Sequence, residues 1–257
     1  MWYAFTPTHQ FLGERGYVAI VVKVCQDRIM QVDIFIRSWH GDFNWLEYCL
    51  RSIKKYAHGF GKVHICIPSD DITMLPAGSE EVHLVNRWSD DYIGQQNDKL
   101  HCDMYCNAPY VLCMDSDCVL TRDLRPEDLF MQGNPIWLYE AVPHNQSPWY
   151  PITEEALGWM PEFEFMRRHP FVFSRSALRD FRAFMFNRHG ESLSNWLKKR
   201  PKGRFSEFNA FGAWAYRNYH EHFAWMTPEE VPCYVMQKWS WGGLNDEIKK
   251  EFEALLA

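Results

Sequence analysis

The segment YVLCMDSDCVL, residues 110–120, is the strongest constraint on how this chain can fold. Tyr110 to Met114 form an unbroken apolar run of strand length. Asp115 and Asp117 follow at once, one residue apart, before Cys118, Val119 and Leu120 restore the apolar character. An ionised carboxylate at the rim of a buried segment costs free energy unless a partner compensates it. The run therefore reads as a buried strand that delivers two carboxylates to a place where a partner is held.

The surrounding pattern gives that strand a context. VDIFIRSW (32–39) reads as a strand. NWLEYCLRSIKKYA (44–57) reads as a helix, because Trp45, Leu46, Cys49, Leu50 and Ile53 recur near the helical period, and His58-Gly59 end it. KVHICIP (62–68) and EVHLV (81–85) read as strands, and GQQNDKLHCDMYC (94–106) as a helix leading into the strand at 110–114. Strand, helix, strand, strand, helix, strand predicts an α/β fold, Rossmann-like, with a mainly parallel central sheet flanked by helices.

The second half is less regular. A strand is expected over 135–142, a Pro- and Trp-rich loop with short helical pieces over 145–165, and helices over 174–189, 191–200 and 206–222. Ser174 or Ser176 would cap the first of these and Ser206 the last. A late strand (231–239) and a turn (240–244) follow. The expected organisation is one domain over 1–257, with a regular first half (31–120), a less regular second half (121–257) and an extra N-terminal segment (1–29), in which YVAIVVKV (17–24) would form an edge strand.

An apolar fraction of 47% over 257 residues supports a real core. The longest early apolar run, residues 17–25, is about half the ~20 residues a membrane span needs. It is also wrongly flanked for a signal peptide, so a cytoplasmic protein is the expectation. Eight cysteines at irregular spacing read as reduced, buried thiols. Cys102 and Cys106 stand beside His101, but without a paired C-x-x-C a zinc site is not the favoured reading.

Ligands of open α/β sheets bind beyond the carboxyl ends of the strands, which is where Asp115 and Asp117 fall. Alternation along an extended segment turns both carboxylates to one side. A hard cation such as Mg²⁺ or Mn²⁺ is held by one or two carboxylates plus substrate phosphates. The plainer alternative is a turn cap and a solvated carboxylate; the position after an apolar strand favours the metal.

These pieces carry a resemblance. VDIFIRSW with LEYCLRSI, then QQNDKL, then the D-S-D segment, resemble the nucleotide-sugar glycosyltransferases of GT-A fold over about residues 31 to 245. Within that superfamily the chain is similar to a bacterial and phage group with a Q-Q-x-x-K-L-like helix before the aspartates and an S-E-[FY] helix later. The resemblance implies a hexosyl- or pentosyltransferase that uses a UDP- or GDP-linked sugar and Mn²⁺ or Mg²⁺, with residues 31–120 as its nucleotide-sugar-binding half and 121–257 as its acceptor-binding half. Asp117 would ligate the metal, and Asp115 would contact the ribose or a metal-bound water. Arg37 and Ser38 would lie along the nucleotide, Asp70 or Asp71 near the base, and Lys99 toward the donor. For Lys99, a solvated helix lysine is the competing reading.

Glu207, at the start of a helix whose dipole favours a carboxylate, is the first candidate for the base that takes the acceptor proton. It is equally a good helix-start residue. Glu140 is the second candidate. Many GT-A enzymes add a late histidine as a metal ligand, and no histidine follows His222 here. Gln237, Lys238 or Ser240 would contact metal or phosphate instead, with Trp239 and Trp241 covering the sugar; the plainer alternative makes Trp241-Gly242-Gly243 a tight turn with packed rings.

Residues 166–204 hold eleven basic residues against Asp180 and Glu191, a net +9 in a chain of −6. Arg167, Arg168 and His169 with Lys198, Lys199 and Arg200 are the expected acceptor contacts. Cations interleaved with Phe suit a nucleic acid, and the resemblance to a group whose phage-encoded members modify DNA implies hydroxymethylated DNA as the acceptor. A cell-surface glycan or a lipid-linked acceptor at an anionic membrane is the alternative, and a solvated cationic face is the plain one. Two other classes compete: a nucleotidyltransferase, although RSWHGD (37–42) lacks the Gly-rich basic loop such enzymes carry, and a non-catalytic nucleotide-sugar-binding protein.

Overall fold

The computed structural model describes residues 31–75, 81–143 and 145–257. The edge strand expected at 17–24 lies outside the described residues. The strands in chain order are β1 (Val32–Arg37), β2 (Val63–Pro68), β3 (Glu81–Val85), β4 (Tyr110–Asp115), β5 (Cys118–Leu120), β6 (Phe130–Met131), β7 (Asn134–Leu138), β8 (Phe171–Ser174), β9 (Ala224–Met226) and β10 (Val235–Gln237). The helices are α1 (Phe43–Tyr56), α2 (Asp91–Lys99), α3 (Tyr150–Leu157), α4 (Arg175–His189), α5 (Leu193–Leu197), α6 (Glu207–Asn218) and α7 (Asp246–Leu256).

The main sheet runs β3-β2-β1-β4-β8. The first four strands are parallel and β8 is antiparallel to β4. The fold is thus mixed α/β, with a mostly parallel, helix-flanked sheet compatible with a Rossmann-like arrangement. Alternation divides its side chains between two cores. Ile34, Ile36, Ile65, Leu112 and Met114 pack with Leu46, Cys49 and Ile53 of α1. Phe35, Cys66, Val111 and Cys113 pack on the other side with Leu178 and Phe181 of α4 and Phe208 and Phe211 of α6. Asp115 shares the register parity of Val111 and Cys113, so it rises on the α6 side.

Two small sheets close the second half: β5 pairs antiparallel with β10, and β7 joins β6 and β9. The first pairing brings the β10 end back over the D-S-D turn, because the Lys238 N–H donates to the Asp117 carbonyl at 3.1 Å.

Several expectations need correction. The helix expected over 94–106 begins at Asp91, where Asp90 accepts from the Tyr92 N–H at 3.1 Å, and ends at Lys99. It ends early because the His101 ring bonds the Asn97 carbonyl at 2.7 Å, while the His101 N–H turns to Asp98. Phe171–Ser174 is a strand preceding the helix capped by Ser174. The helix expected over 191–200 shortens to Leu193–Leu197, capped by Ser192. The one expected over 206–222 ends at Asn218 but keeps its Ser206 cap on the Asn209 N–H.

Candidate functional site

The carboxyl ends of β1 and β4, the start of α6, the last turn of α2 and the segment after β10 surround an open cleft of about 1000 Å³. Asp115 and Asp117 both line it, as do Lys99 and Glu207.

At its centre is a buried chain of charges. Lys99 Nζ stands 2.5 Å from Asp115 Oδ1 and 2.8 Å from Glu207 Oε1. His169 Nε2 lies 3.2 Å from the other oxygen of Asp115. Burial alone would raise the Asp115 pKa, but Lys99 and His169 outweigh it and hold the carboxyl far below the usual range. Burial likewise works against a charged Lys99, yet Asp115 and Glu207 keep its pKa well above the ordinary value. Asp117 is the reverse case. Burial and the neighbouring Asp115 charge push it up to about 6, against the Ser240 N–H at 3.0 Å and the Gln237 amide at 3.2 Å.

Asp42 is a further carboxyl on this wall, raised by burial and in part by Asp115, and its Oδ2 accepts from Ser240 Oγ at 3.3 Å. Sequence reasoning missed it, although its place in the turn between β1 and α1, beyond the strand's carboxyl end, was a usable signal. Asp42, Asp115, Asp117 and Glu207 thus line the cleft with Lys99 among them, and Asp90 and Asp91 bring its carboxyl groups to more than the cations Arg37, Arg87, Lys99 and Lys202. Such an excess of carboxyl groups suits a hard divalent cation. Among the described residues no third His, Cys, Asp or Glu completes a compact ligand group with Asp115 and Asp117. A cation there would draw its other ligands from water or a bound phosphate.

The elements that present these groups are firmly placed. Arg37 ties β1 to α2 through Asp98 and Asp91, each at 2.8 Å, and also bonds the Ser38 carbonyl. Buried Asn209 of α6 accepts from the Phe165 N–H at 2.8 Å and donates to Thr153 Oγ1 at 3.0 Å. Gly212, one turn on, lets α6 approach Phe165 and Trp137, which a Cβ would meet at 2.5 and 2.7 Å. The Phe208 ring, next to Glu207, stacks on Phe171 of β8 at 3.8 Å.

The other expected residues are scattered. Arg37 and Ser38 line the cleft, but the Arg37 fork is committed to its carboxylates. Asp70 is exposed near Arg87, and Asp71 is buried on His40 and Arg87; neither lines the cleft. Glu140 pairs with Arg167 outside it. Trp239 and Ser240 line the cleft, whereas Lys238 turns to Glu251 of α7 at 2.8 Å.

The basic stretch forms no common face toward the cleft. Arg168 bonds the carbonyls of Pro228 and Val231, and His169 lies buried behind Asp115. Lys198 covers the Trp88 ring, Lys199 pairs with Glu191, and Arg200 pairs with Glu155 over Trp196. Farther along, Arg182 is held by Asp103 at 2.6 Å. Lys202 is the one basic residue of 166–204 that lines the cleft.

The family model of DUF6492, a family of unknown function, matches residues 47–230. The chain belongs to this family. The matched segment contains Lys99, Asp115, Asp117, His169 and Glu207, and stops short of the Gln237–Ser240 wall. Among curated proteins none matches the chain. No helix among the described residues is long and apolar enough to cross a membrane.

Proposed function

We propose that this DUF6492 protein is a metal-dependent glycosyltransferase of GT-A type that takes its sugar from a nucleoside diphosphate. One observation carries the reading: Asp115 ends the interior strand β4, Asp117 follows in the turn, and both line a cleft large enough for a nucleotide sugar. Asp115 and Asp117 are the residues that would hold Mn²⁺ or Mg²⁺. The metal supplies positive charge to the departing nucleoside diphosphate.

The chain's own groups fill the remaining roles. Lys99 neutralises Asp115 and orients Glu207, and Glu207 is the carboxylate assigned to take the acceptor's proton. The Ser240 N–H and the Gln237 amide fix the Asp117 carboxyl. Trp239 and Trp241, both exposed at the cleft, offer apolar faces to a sugar ring. The acceptor we favour is a saccharide hydroxyl rather than DNA, because Arg168, Lys199 and Arg200 are held by internal partners and only Lys202 of the basic stretch lines the cleft.

A donor-hydrolysis screen with UDP- and GDP-sugars tests the reading. The expected result is Mn²⁺-dependent release of nucleoside diphosphate from one donor. If no donor is hydrolysed and none binds, with or without metal, the proposal fails.

A further inference from the structure

A second group of ligating side chains lies on the sheet away from the cleft. His64 of β2 is opposite Glu81 of β3 in the parallel register, and His83 follows on the same face. His64 Nδ1 is 2.9 Å from His83 Nε2 and 3.6 Å from Glu81 Oε2. All three donor atoms lie within 4.8 Å of one another. For tetrahedral bonds of about 2.0–2.1 Å, neighbouring ligand atoms stand about 3.3 Å apart. The two separations bracket that figure.

The environment fits the role. His64 is fully buried, and its other nitrogen, Nε2, faces Asp33 Oδ2 at 3.4 Å without a hydrogen bond. A carboxylate behind the far nitrogen is the arrangement that sets a metal-ligating histidine's tautomer and aims its lone pair. Glu81 is exposed and His83 half-buried on the edge strand, so a fourth position faces solvent, and Glu81 pairs with Lys62 through Oε1 while Oε2 faces His64.

A competing set, Asp33, His64 and Cys106, also converges. It is a poorer site. Asp33 already accepts from the N–H groups of Lys62, Asn107 and Ala108, and burial pushes the Cys106 thiol up, away from the thiolate a metal needs.

We propose that His64, Glu81 and His83 form a binding site for a Zn²⁺-class cation that clamps β3 to β2. Nitrogen donors select such ions over Mg²⁺, so this site and the oxygen-rich cleft differ in preference. When the cation binds, the N–H proton between the facing imidazoles is lost and the far nitrogen of the same ring takes one up from solvent, so both rings stay neutral and both facing lone pairs are free for the metal.

The test uses tag-free full-length protein carrying Asp117→Asn, which removes the cleft aspartate, and titrates Zn²⁺ calorimetrically. The expected result is a single equivalent of Zn²⁺ bound and a raised melting temperature, with no response to Mg²⁺. His83→Ala should weaken binding by more than the about 10–100-fold typical of losing an outer-shell partner. Glu81→Gln should weaken it at least about 10-fold. His83 and Glu81 are not core residues, so both variants should keep the parent's circular dichroism. Co²⁺ absorption of tetrahedral type should appear in the parent and vanish in His83→Ala. Absence of Zn²⁺ binding, or binding unchanged in His83→Ala, overturns the site and leaves the reading of the cleft untouched.

Discussion

Lys99 Nζ donates to Glu207 Oε1 at 2.8 Å, and both side chains are buried. The ammonium thus joins the end of α2 to the start of α6, and through Asp115 it joins both to β4. Removing one partner of a buried pair costs about 3–5 kcal/mol, because the other charge is stranded. Lys99→Met is therefore expected to destabilise the protein by that order in urea unfolding. Adding Glu207→Gln to that variant should recover part of the loss, since one stranded charge disappears.

Gly212 makes a packing prediction about the same helix. A Cβ there would stand 2.5 Å from Phe165 Cβ, with Trp137 Nε1 at 2.7 Å. Gly212→Ala should cost about 1–3 kcal/mol by overpacking, despite the better helix propensity of Ala. Thermal unfolding checks this, and an unchanged or raised melting temperature would show that α6 packs less closely than the structure has it.

Asp71 makes a pH prediction. Burial would raise its pKa, but the His40 N–H, the His40 ring and Arg87 outweigh burial and lower it. A depressed folded-state pKa gives stability that is fully present above the unfolded value of about 3.9 and is lost as pH falls through the folded value. Asp71→Asn should cost about 1.5–3 kcal/mol at neutral pH. The gap from wild type should narrow below about pH 4. Urea titrations at pH 7, 4 and 3 read it; a gap that widens in acid would contradict the assignment.

The basic stretch yields a contrast. Lys202 lines the cleft, while Lys199 is exposed and paired with Glu191. Lys202→Ala should weaken nucleoside diphosphate binding by about 2–5-fold, the scale of an exposed ion pair. Lys199→Ala should leave it unchanged, and neither should alter DNA mobility in electrophoresis. A steep loss of DNA binding on substituting Lys199 would restore the polyanion reading.

These residues show what could be read from sequence. The run into Asp115, the periodic α1 and the Ser206 cap were legible because each is a local signal: apolar continuity, period, a capping side chain. His169 was read with its basic neighbours, yet chain reversal seats it behind Asp115, 54 residues away in sequence. Lys99 looks solvated in isolation and is buried only because β4 and α6 bring carboxylates to it. Four-residue β8 is too short for alternation to show, and α7 was passed over although Phe252 packs on Trp45 and Tyr48. Charge counted along the chain does not reveal pairing, since Arg182 and Arg200 meet their carboxylates from distant segments.

The measurement that bears most directly on the central claim is calorimetric titration of UDP and GDP, with and without Mn²⁺, into wild type and Asp117→Asn. The account predicts that one nucleotide binds wild type in a Mn²⁺-dependent way and that Asp117→Asn abolishes the dependence while unfolding at a similar temperature. Equal nucleotide affinity in the two proteins, with Mn²⁺ without effect on either, would contradict it.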